Sequence, residues 1–381
     1  MTLKEFTPLG SYFSSKIGSM LNQISRRDFL KLSGGMLGSL ALFPFMPQWD
    51  QFSDGSMFRI TSNGLKDLGI PVYSEPNDKS RIVKTVYLDD LLNVYAEVNS
   101  GTPGYNPVWY RVWGGYVNRA RTQKVQNILN PVEQSIRANG QLAEITVPYT
   151  QTYRKVGKDW QKLYRLYYNS VHWVKGIEEG PDGKPWYRLL DELLDNVPYL
   201  VPASHLRLIP DQEITPISPG VPSDKKRIEV SLTTQRVTCF EYDTPVFTTT
   251  ISSGREDSNP GANGIPTRTP SGPFYISVKM PSKHMGSGDL AQAADIGAYQ
   301  LPGVPWTSFI QFKERPFQGH AFHGTYWHDN FGVPMSSGCL NMRTDEAKWL
   351  FRWCLPAAPG DKINPQTLAV NGYGTSGLIS T

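Results

Sequence analysis

The chain has 381 residues and a nearly balanced charge, 38 Lys plus Arg against 34 Asp plus Glu, for a net +4. That balance argues against a nucleic-acid partner, which would call for a basic stripe or patch. With 39% hydrophobic and 12% aromatic residues, the chain can bury a core and is not a disordered polymer. At roughly 100–200 residues per domain there is room for two or three domains. The 34 Gly and 30 Pro, with 19 Tyr and 10 Trp, predict many short strands and turns, a mainly β protein. Three Cys are too few for a disulfide framework, and being odd in number they leave at least one thiol free.

The N-terminus reads as an address. Ser25-Arg26-Arg27-Asp28-Phe29-Leu30-Lys31 is a twin-arginine pattern, followed by an uncharged run from Leu32 to Met46. That run is shorter than the roughly 20 residues a spanning helix needs, and a basic stretch before a short apolar one reads as an export signal. Residues 1–48 are therefore expected to engage the twin-arginine export machinery and to send the chain to the cell envelope or beyond. No A-x-A cleavage site is visible, which leaves removal or retention as an anchor open. Five basic and two acidic side chains lie in this segment, so most of the net positive charge belongs to it.

Residues 57–125 read as short strands. Arg81–Tyr87 and Leu92–Ala96 alternate with period two. Trp109-Tyr110-Arg111-Val112-Trp113-Gly114-Gly115-Tyr116-Val117 reads as two strands around a tight turn. The "VY" opening at Val72-Tyr73 and the "WYRV…GYV" close resemble a bacterial SH3-like module, a small antiparallel barrel often appended to cell-wall enzymes. Trp186-Tyr187-Arg188 repeats Trp109-Tyr110-Arg111, and Val197–Val201 stands where Gly115–Val117 stood. Residues 145–210 are accordingly either a second SH3-like or hairpin unit, or a β-rich segment that shares a tripeptide. Residues 211–225, rich in Pro and Ser, read as a linker.

From residue 226 the pattern changes. Arg227–Leu232, Gln235–Tyr242 and Phe247–Gly254 read as three strands, and strands recur to about residue 325. One helix is predicted after residue 343, with Thr344 as its N-cap, Asp345 and Glu346 in its first turn, a buried stripe at Ala347, Leu350, Phe351 and Cys354, and Pro356 ending it.

Three of the six His fall within nine residues, at 320, 323 and 328, and Cys339 follows inside Ser336-Ser337-Gly338-Cys339-Leu340-Asn341. A thiol beside an imidazole can pass its proton to it and act as a thiolate nucleophile. Backbone N–H groups at Gly338 and Cys339 are candidates for holding a developing oxyanion. The combination suits acyl transfer through a thioester. A metal hydrolase built on His320, His323, His328 and Cys339 is a rival, but no H-E-x-x-H occurs and the spacing is that of strands.

His323-Gly324-Thr325 followed by Ser336-Ser337-Gly338-Cys339-Leu340-Asn341 resembles the L,D-transpeptidase (YkuD-like) motif, H-G-T … S-H-G-C-hydrophobic-R/N. Ile228–Leu232 with Gln235–Val237, Ser252-Ser253-Gly254, Thr269–Phe274 and Gly372–Thr375 match further motifs of that family in order. The resemblance covers about 226–381 and implies a β-sandwich-like catalytic domain. It implies Cys339 as the acylated nucleophile and His323 as its base and later acid. Gly338, Ser336, Ser337, Gly324, His328 and Asn341 would then line the oxyanion or substrate site. Peptidoglycan stem peptides of the cell wall would be the substrate, joined by 3→3 cross-links, with no cofactor and no metal. One departure stands out: Ser337 replaces a His common in the family, so either that His is dispensable or His328 or His320 stands in for it. The same Cys/His pair with water as acceptor would be an L,D-carboxypeptidase or cross-link hydrolase, and an inert domain would leave a wall-binding protein. Cys239, Cys354, His172 and His205 are expected in structural roles, and His284 in a loop over the site. Tyr326 and Trp327 are expected either to stack on substrate or to pack.

Overall fold

In the computed structural model the described residues are 57–61, 69–193, 197–256, 267–286, 300–357, 363 and 370–381, and the twin-arginine segment lies outside them. Among these residues the protein is mainly β with one α-helix, as expected. The first region contains β1 (Met57–Ile60), β2 (Ile70–Tyr73), β3 (Ile82–Val86), β4 (Leu91–Asn93), β5 (Ala96–Asn99), β6 (Val108–Val112), β7 (Gly115–Asn118) and β8 (Thr122–Val125). They form a three-stranded sheet, β4-β1-β8, and a five-stranded one, β3-β2-β7-β6-β5. Both sheets share one core of Phe58, Ile60, Val72, Val86, Val94, Tyr110, Val112 and Val117. The β6–β7 hairpin expected here forms, but it turns on Trp113-Gly114, one residue before the Gly114-Gly115 pair that suggested it, and Gly114 supplies the positive φ of +85° that the tight turn needs. The alternation read over 92–96 breaks instead at Val94-Tyr95, between β4 and β5.

The second region is a seven-stranded sheet, order β11-β10-β14-β13-β12-β9-β15, from β9 (Gln141–Ile145), β10 (Tyr149–Val156), β11 (Asp159–Tyr167), β12 (Val171–Glu179), β13 (Pro185–Leu190), β14 (Tyr199–Pro202) and β15 (Leu206–Leu208). Both regions end in the same order: a Trp-Tyr-Arg strand with Trp and Tyr buried, a second strand, a single 3-10 turn, and a closing strand. The Pro/Ser-rich stretch that follows is packed rather than loose. Ile209 and Ile214 enter the large core of the C-terminal region, the Ile217 N–H donates to the Arg352 carbonyl, and the Arg352 guanidinium donates to the Thr215 carbonyl.

The third region is one large sheet. Its strands are β16 (Lys226–Ser231), β17 (Arg236–Glu241), β18 (Thr244–Thr250), β19 (Gly272–Gly286), β20 (Gln300–Phe312), β21 (Ala321–Gly324), β22 (Leu340–Met342), β23 (Val370–Asn371) and β24 (Ser376–Ser380). Their order is β18-β17-β16-β24-β19-β20-β21-β22, with β23 beside β19. β24 lies parallel to β16 and antiparallel to β19, joining the two halves of the sheet. The helix α1 runs Thr344–Trp353. Its apolar stripe is buried at Ala347, Leu350, Phe351 and Cys354 as the spacing predicted. Its N-cap is Arg343, without a side-chain cap bond, so Thr344 is the first helical residue and not the cap. The core beneath this sheet takes in Leu142, Val171 and Trp173 of the second region, so the two share one apolar interior.

Candidate active site

The site is built on a parallel pair at the end of the sheet. β21 and β22 pair in the register Phe322↔Leu340, His323↔Asn341 and Gly324↔Met342. Side chains alternate across a strand. Phe322, Leu340 and Met342 therefore enter the main core, while Ala321, His323, Cys339 and Asn341 share the other face. Cys339 sits at the mouth of β22, diagonal to His323. Its sulfur packs with Met280, Phe309 and Ala321 and contacts the Gly319 carbonyl at 4.0 Å. That apolar burial pushes the thiol up to about 11, opposed only by the Ala321 backbone N–H.

His323 is buried, and its Nδ1 donates to the Gly324 carbonyl at 3.1 Å. The proton is thus held on Nδ1, and Nε2 keeps its lone pair as a base. Burial lowers its pKa to about 4. The resting pair is therefore neutral thiol and neutral imidazole across the physiological range. Trp327 lies against the His323 ring, centroids 5.6 Å apart, and meets Tyr326 edge-on. Tyr326 itself is buried, with its hydroxyl on the Pro302 carbonyl, so it packs and Trp327 covers the imidazole.

Of the two His that stood as substitutes for the residue replaced by Ser337, the structure brings only His328 to the site. His328 contacts the Asn341 amide at 2.9 Å, and its Nδ1 accepts the Asn330 backbone N–H. A neutral imidazole has one N–H and one acceptor. Nδ1 is the acceptor, so Nε2 carries the proton and Asn341 presents its oxygen, the atom otherwise left without a partner in this buried place. Burial, with His323 and Arg121 nearby, lowers His328 to about 3. His320 instead meets the edge of Phe312 and lies off the site. Asn341 is fully buried, and its amide contacts His328. Among the described residues no three His, Cys, Asp or Glu side chains converge as metal ligands would.

The turn before Cys339 is tied by the other motif segments. Gly338 takes φ +122°, where Gly is favoured, and its carbonyl accepts from Thr269 Oγ1, which also accepts the Gly254 N–H. A Cβ on Gly254 would come within 2.7 Å of the Gly338 Cα and 2.1 Å of the Thr267 carbonyl, so the approach requires Gly. Ser252 exchanges both backbone bonds with Asn341, and Met335 and Ser336 donate to the Ser253 carbonyl. Ser336 Oγ accepts from the Gly338 N–H and donates to the Cys339 carbonyl. Gly338 N–H is thus committed within the turn, which qualifies its expected part in an oxyanion site. Ser337 is exposed, and Gly324 packs against Pro305 and Thr344.

His284 is not in a loop over the site. It is buried in β19, with Nδ1 on Asp191 at 2.6 Å and Nε2 on Gln300. His172 bonds Ser170 and His205 bonds Thr150, and Cys239 and Cys354 are buried. What the sequence did not reveal is the hold of the N-terminal region on the segment around Trp327 and His328. The Arg59 guanidinium donates to the Tyr326 carbonyl, and Asn106 Nδ2 to the Asp329 carbonyl and Asn330 Oδ1.

A comparison with curated proteins gave no match. Similar solved structures include an Enterococcus faecium L,D-transpeptidase in a Cys-to-Ser mutant form, 20% identical over 41% of this chain and 50% of that one, TM-score 0.28. An L,D-transpeptidase from Xylanimonas cellulosilytica is 20% identical over 41% of this chain and 60% of that one, TM-score 0.25. L,D-transpeptidase 3 from Mycobacterium tuberculosis, solved with a faropenem-derived adduct, is 15% identical over 49% of this chain and 74% of that one, TM-score 0.28. The chain spans about half the length of the Enterococcus faecium protein. Residues 225–364, which contain His323 and Cys339, match the family model of the L,D-transpeptidase catalytic domain, and this segment of the chain is a YkuD domain.

Proposed function

We propose that the protein is an exported peptidoglycan L,D-transpeptidase with Cys339 as nucleophile and His323 as general base. The observation that carries this reading is the parallel β21–β22 register, which sets the thiol diagonal to an imidazole whose Nε2 is free to take a proton. The family match over 225–364 supports the reaction class.

The chemistry follows from the neutral resting pair. Cys339 gives its proton to His323 Nε2 as its sulfur attacks the carbonyl carbon of a stem-peptide bond. The charge develops on the carbonyl oxygen, beside the Gly338–Cys339 turn, where backbone donors hold it once Gly338 exchanges its bond to Ser336 Oγ. The imidazolium returns the proton to the leaving amine, and a thioester remains. A side-chain amine of a second stem then attacks, His323 takes the amine proton, and the thiol is restored with a 3→3 cross-link formed. Because burial disfavours the separated ions at rest, the thiolate is made only when substrate is present. The repeated Trp-Tyr-Arg ending supports reading 57–125 and 145–210 as two SH3-like units directed at the wall. The twin-arginine pattern supports delivery to the envelope.

The test is intact-mass analysis of the protein with a tetrapeptide-stem muropeptide, beside Cys339→Ala and His323→Ala. An acyl adduct on the wild type alone, with a cross-linked dimer in solution, is the expected result. Trimmed tripeptide without dimer would make water the acceptor and the protein an L,D-carboxypeptidase. Neither adduct nor product would overturn the reading.

A further inference from the structure

The segment that covers His323 is held from outside its own sheet. Tyr326 and Asp329 bracket Trp327 and His328, and three of their backbone groups are bound by the N-terminal region. The Tyr326 carbonyl accepts from Arg59 at 2.8 Å, the Asp329 carbonyl from Asn106 at 2.9 Å, and the Asp329 N–H donates to the Ala120 carbonyl at 3.3 Å. Arg119 adds an ion pair to the Asp329 carboxylate at 3.6 Å.

Both anchors are built into the fold. Arg59 is 2% exposed. It also donates to Asp89 and twice to Gln123, and its guanidinium lies over the Tyr167 ring at 4.1 Å. Tyr167, from the second region, in turn stacks on Tyr326. Asp89 also accepts from Arg165, so all three regions of the chain meet around one buried cation. Asn106 is equally buried. Its Nδ2 also reaches Asn330 Oδ1, its Oδ1 accepts the Val108 N–H, and its carbonyl accepts from Asn118. A buried guanidinium with four directed donor bonds has little freedom to let the carbonyl go.

We propose that Arg59 and Asn106 are positioning residues for the acyl-transfer site. They clamp the two sides of the Trp327-His328 segment, so that the N-terminal region is a working part of that site and not a separable appendage. This inference rests on the transpeptidase reading for its kinetic consequence but not for its structural one. If the clamp is loosened, Trp327 leaves the imidazole, water enters, and the two groups drift from reacting geometry. A misplacement of about 1 Å costs roughly 100-fold in rate.

The experiment compares Arg59→Lys, which keeps the charge but loses the fork, and Asn106→Ala, which empties the other clamp, with the wild type. His323 is followed by NMR titration, together with kcat and KM on the muropeptide. The titratable or charged groups facing it are Cys339 on β22 and His328 on its own segment, with Arg121 of the N-terminal region beyond His328. In the wild type His323 titrates near 4. In each variant its midpoint should rise toward ~6.5, the value of a solvated imidazole. In each, kcat should fall by about tenfold or more, with KM changed far less. Trp113→Ala, at the exposed turn of the same region, should leave both readouts at wild-type values. A His323 midpoint that stays near the wild-type value in both clamp variants would overturn the proposal. That readout needs no turnover, so it stays decisive even if the wild type proves inactive on muropeptides.

Discussion

His328 owes its tautomer to two backbone-anchored neighbours, and the consequence is testable at a single atom. With Nδ1 taken by the Asn330 N–H, its Nε2 proton must be met by the Asn341 oxygen. Asn341→Asp would replace that neutral acceptor with a carboxylate, which favours the imidazolium. The His328 pKa should then rise from about 3 by one to three units, read by histidine NMR. Below that raised value a protonated His328 beside His323 would make the His323 imidazole harder to protonate, so the loss of kcat should appear at acid pH and not at pH 7. Ser337 behaves differently: it is exposed, and Ser337→His should change kcat by less than about threefold, because His328 already occupies the interior. That Cys339 and His323 share one face could be anticipated from the sequence, because the motif that carries them is local. The service of Asn341 to His328 could not, because an amide thirteen residues away from a ring leaves no mark in the sequence.

At the scale of elements, α1 follows directly on the strand that carries Asn341, and its C-terminus is capped from far away in the chain. Lys279 Nζ donates to the Phe351 and Cys354 carbonyls, and Lys226 Nζ to the Trp353 and Ile217 carbonyls. Both amines are buried, and burial lowers both pKa values. A helix C-terminus leaves four carbonyls unpaired and carries partial negative charge, which is the compensation these cations find. Lys279→Met should therefore destabilise the protein by about 1–3 kcal/mol, the cost of leaving buried acceptors unmet, measured as a lowered urea midpoint at unchanged slope. The helix and its stripe were legible from the i, i+3, i+4, i+7 spacing. Its caps were not, since Lys279 lies on β19, more than seventy residues earlier. β22 was equally hidden, being a strand of three residues, and so was its parallel pairing with β21.

Across the described residues, burial lowers the pKa of several imidazoles, most strongly His172 to about 3, His323 to about 4 and His328 to about 3. Each binds a proton in the unfolded chain below ~6.5 but not in the fold, so the unfolded state holds more protons and stability is lost as the pH falls. The window runs from ~6.5 down to the folded values, and at pH 5 each group costs about 2 kcal/mol. Glu192, Asp329 and Glu346, raised by burial, act in the opposite sense. A comparison cancels them: His172→Gln should lose up to about 1.4 kcal/mol per pH unit of the acid slope between pH 6 and 4, read from melts across that range. The sequence showed a change of composition near residue 226, but not the interior shared across it. Leu142, Trp173 and Ile214 carry no local sign that their neighbours lie beyond residue 226.

The position of β24 has a consequence for how the protein comes to exist. β16–β18 and β19–β22 are joined in the sheet through Ser376–Ser380, and Ile228 meets Gly377 across roughly 150 residues of chain. During synthesis the two half-sheets wait with an unpaired edge each, the condition under which strands recruit wrong partners. The large C-terminal sheet therefore assembles only after its final strand has left the ribosome. A chain ended before Ser376 should collect in the insoluble fraction, with Cys339 and His323 intact in sequence but never brought onto one face.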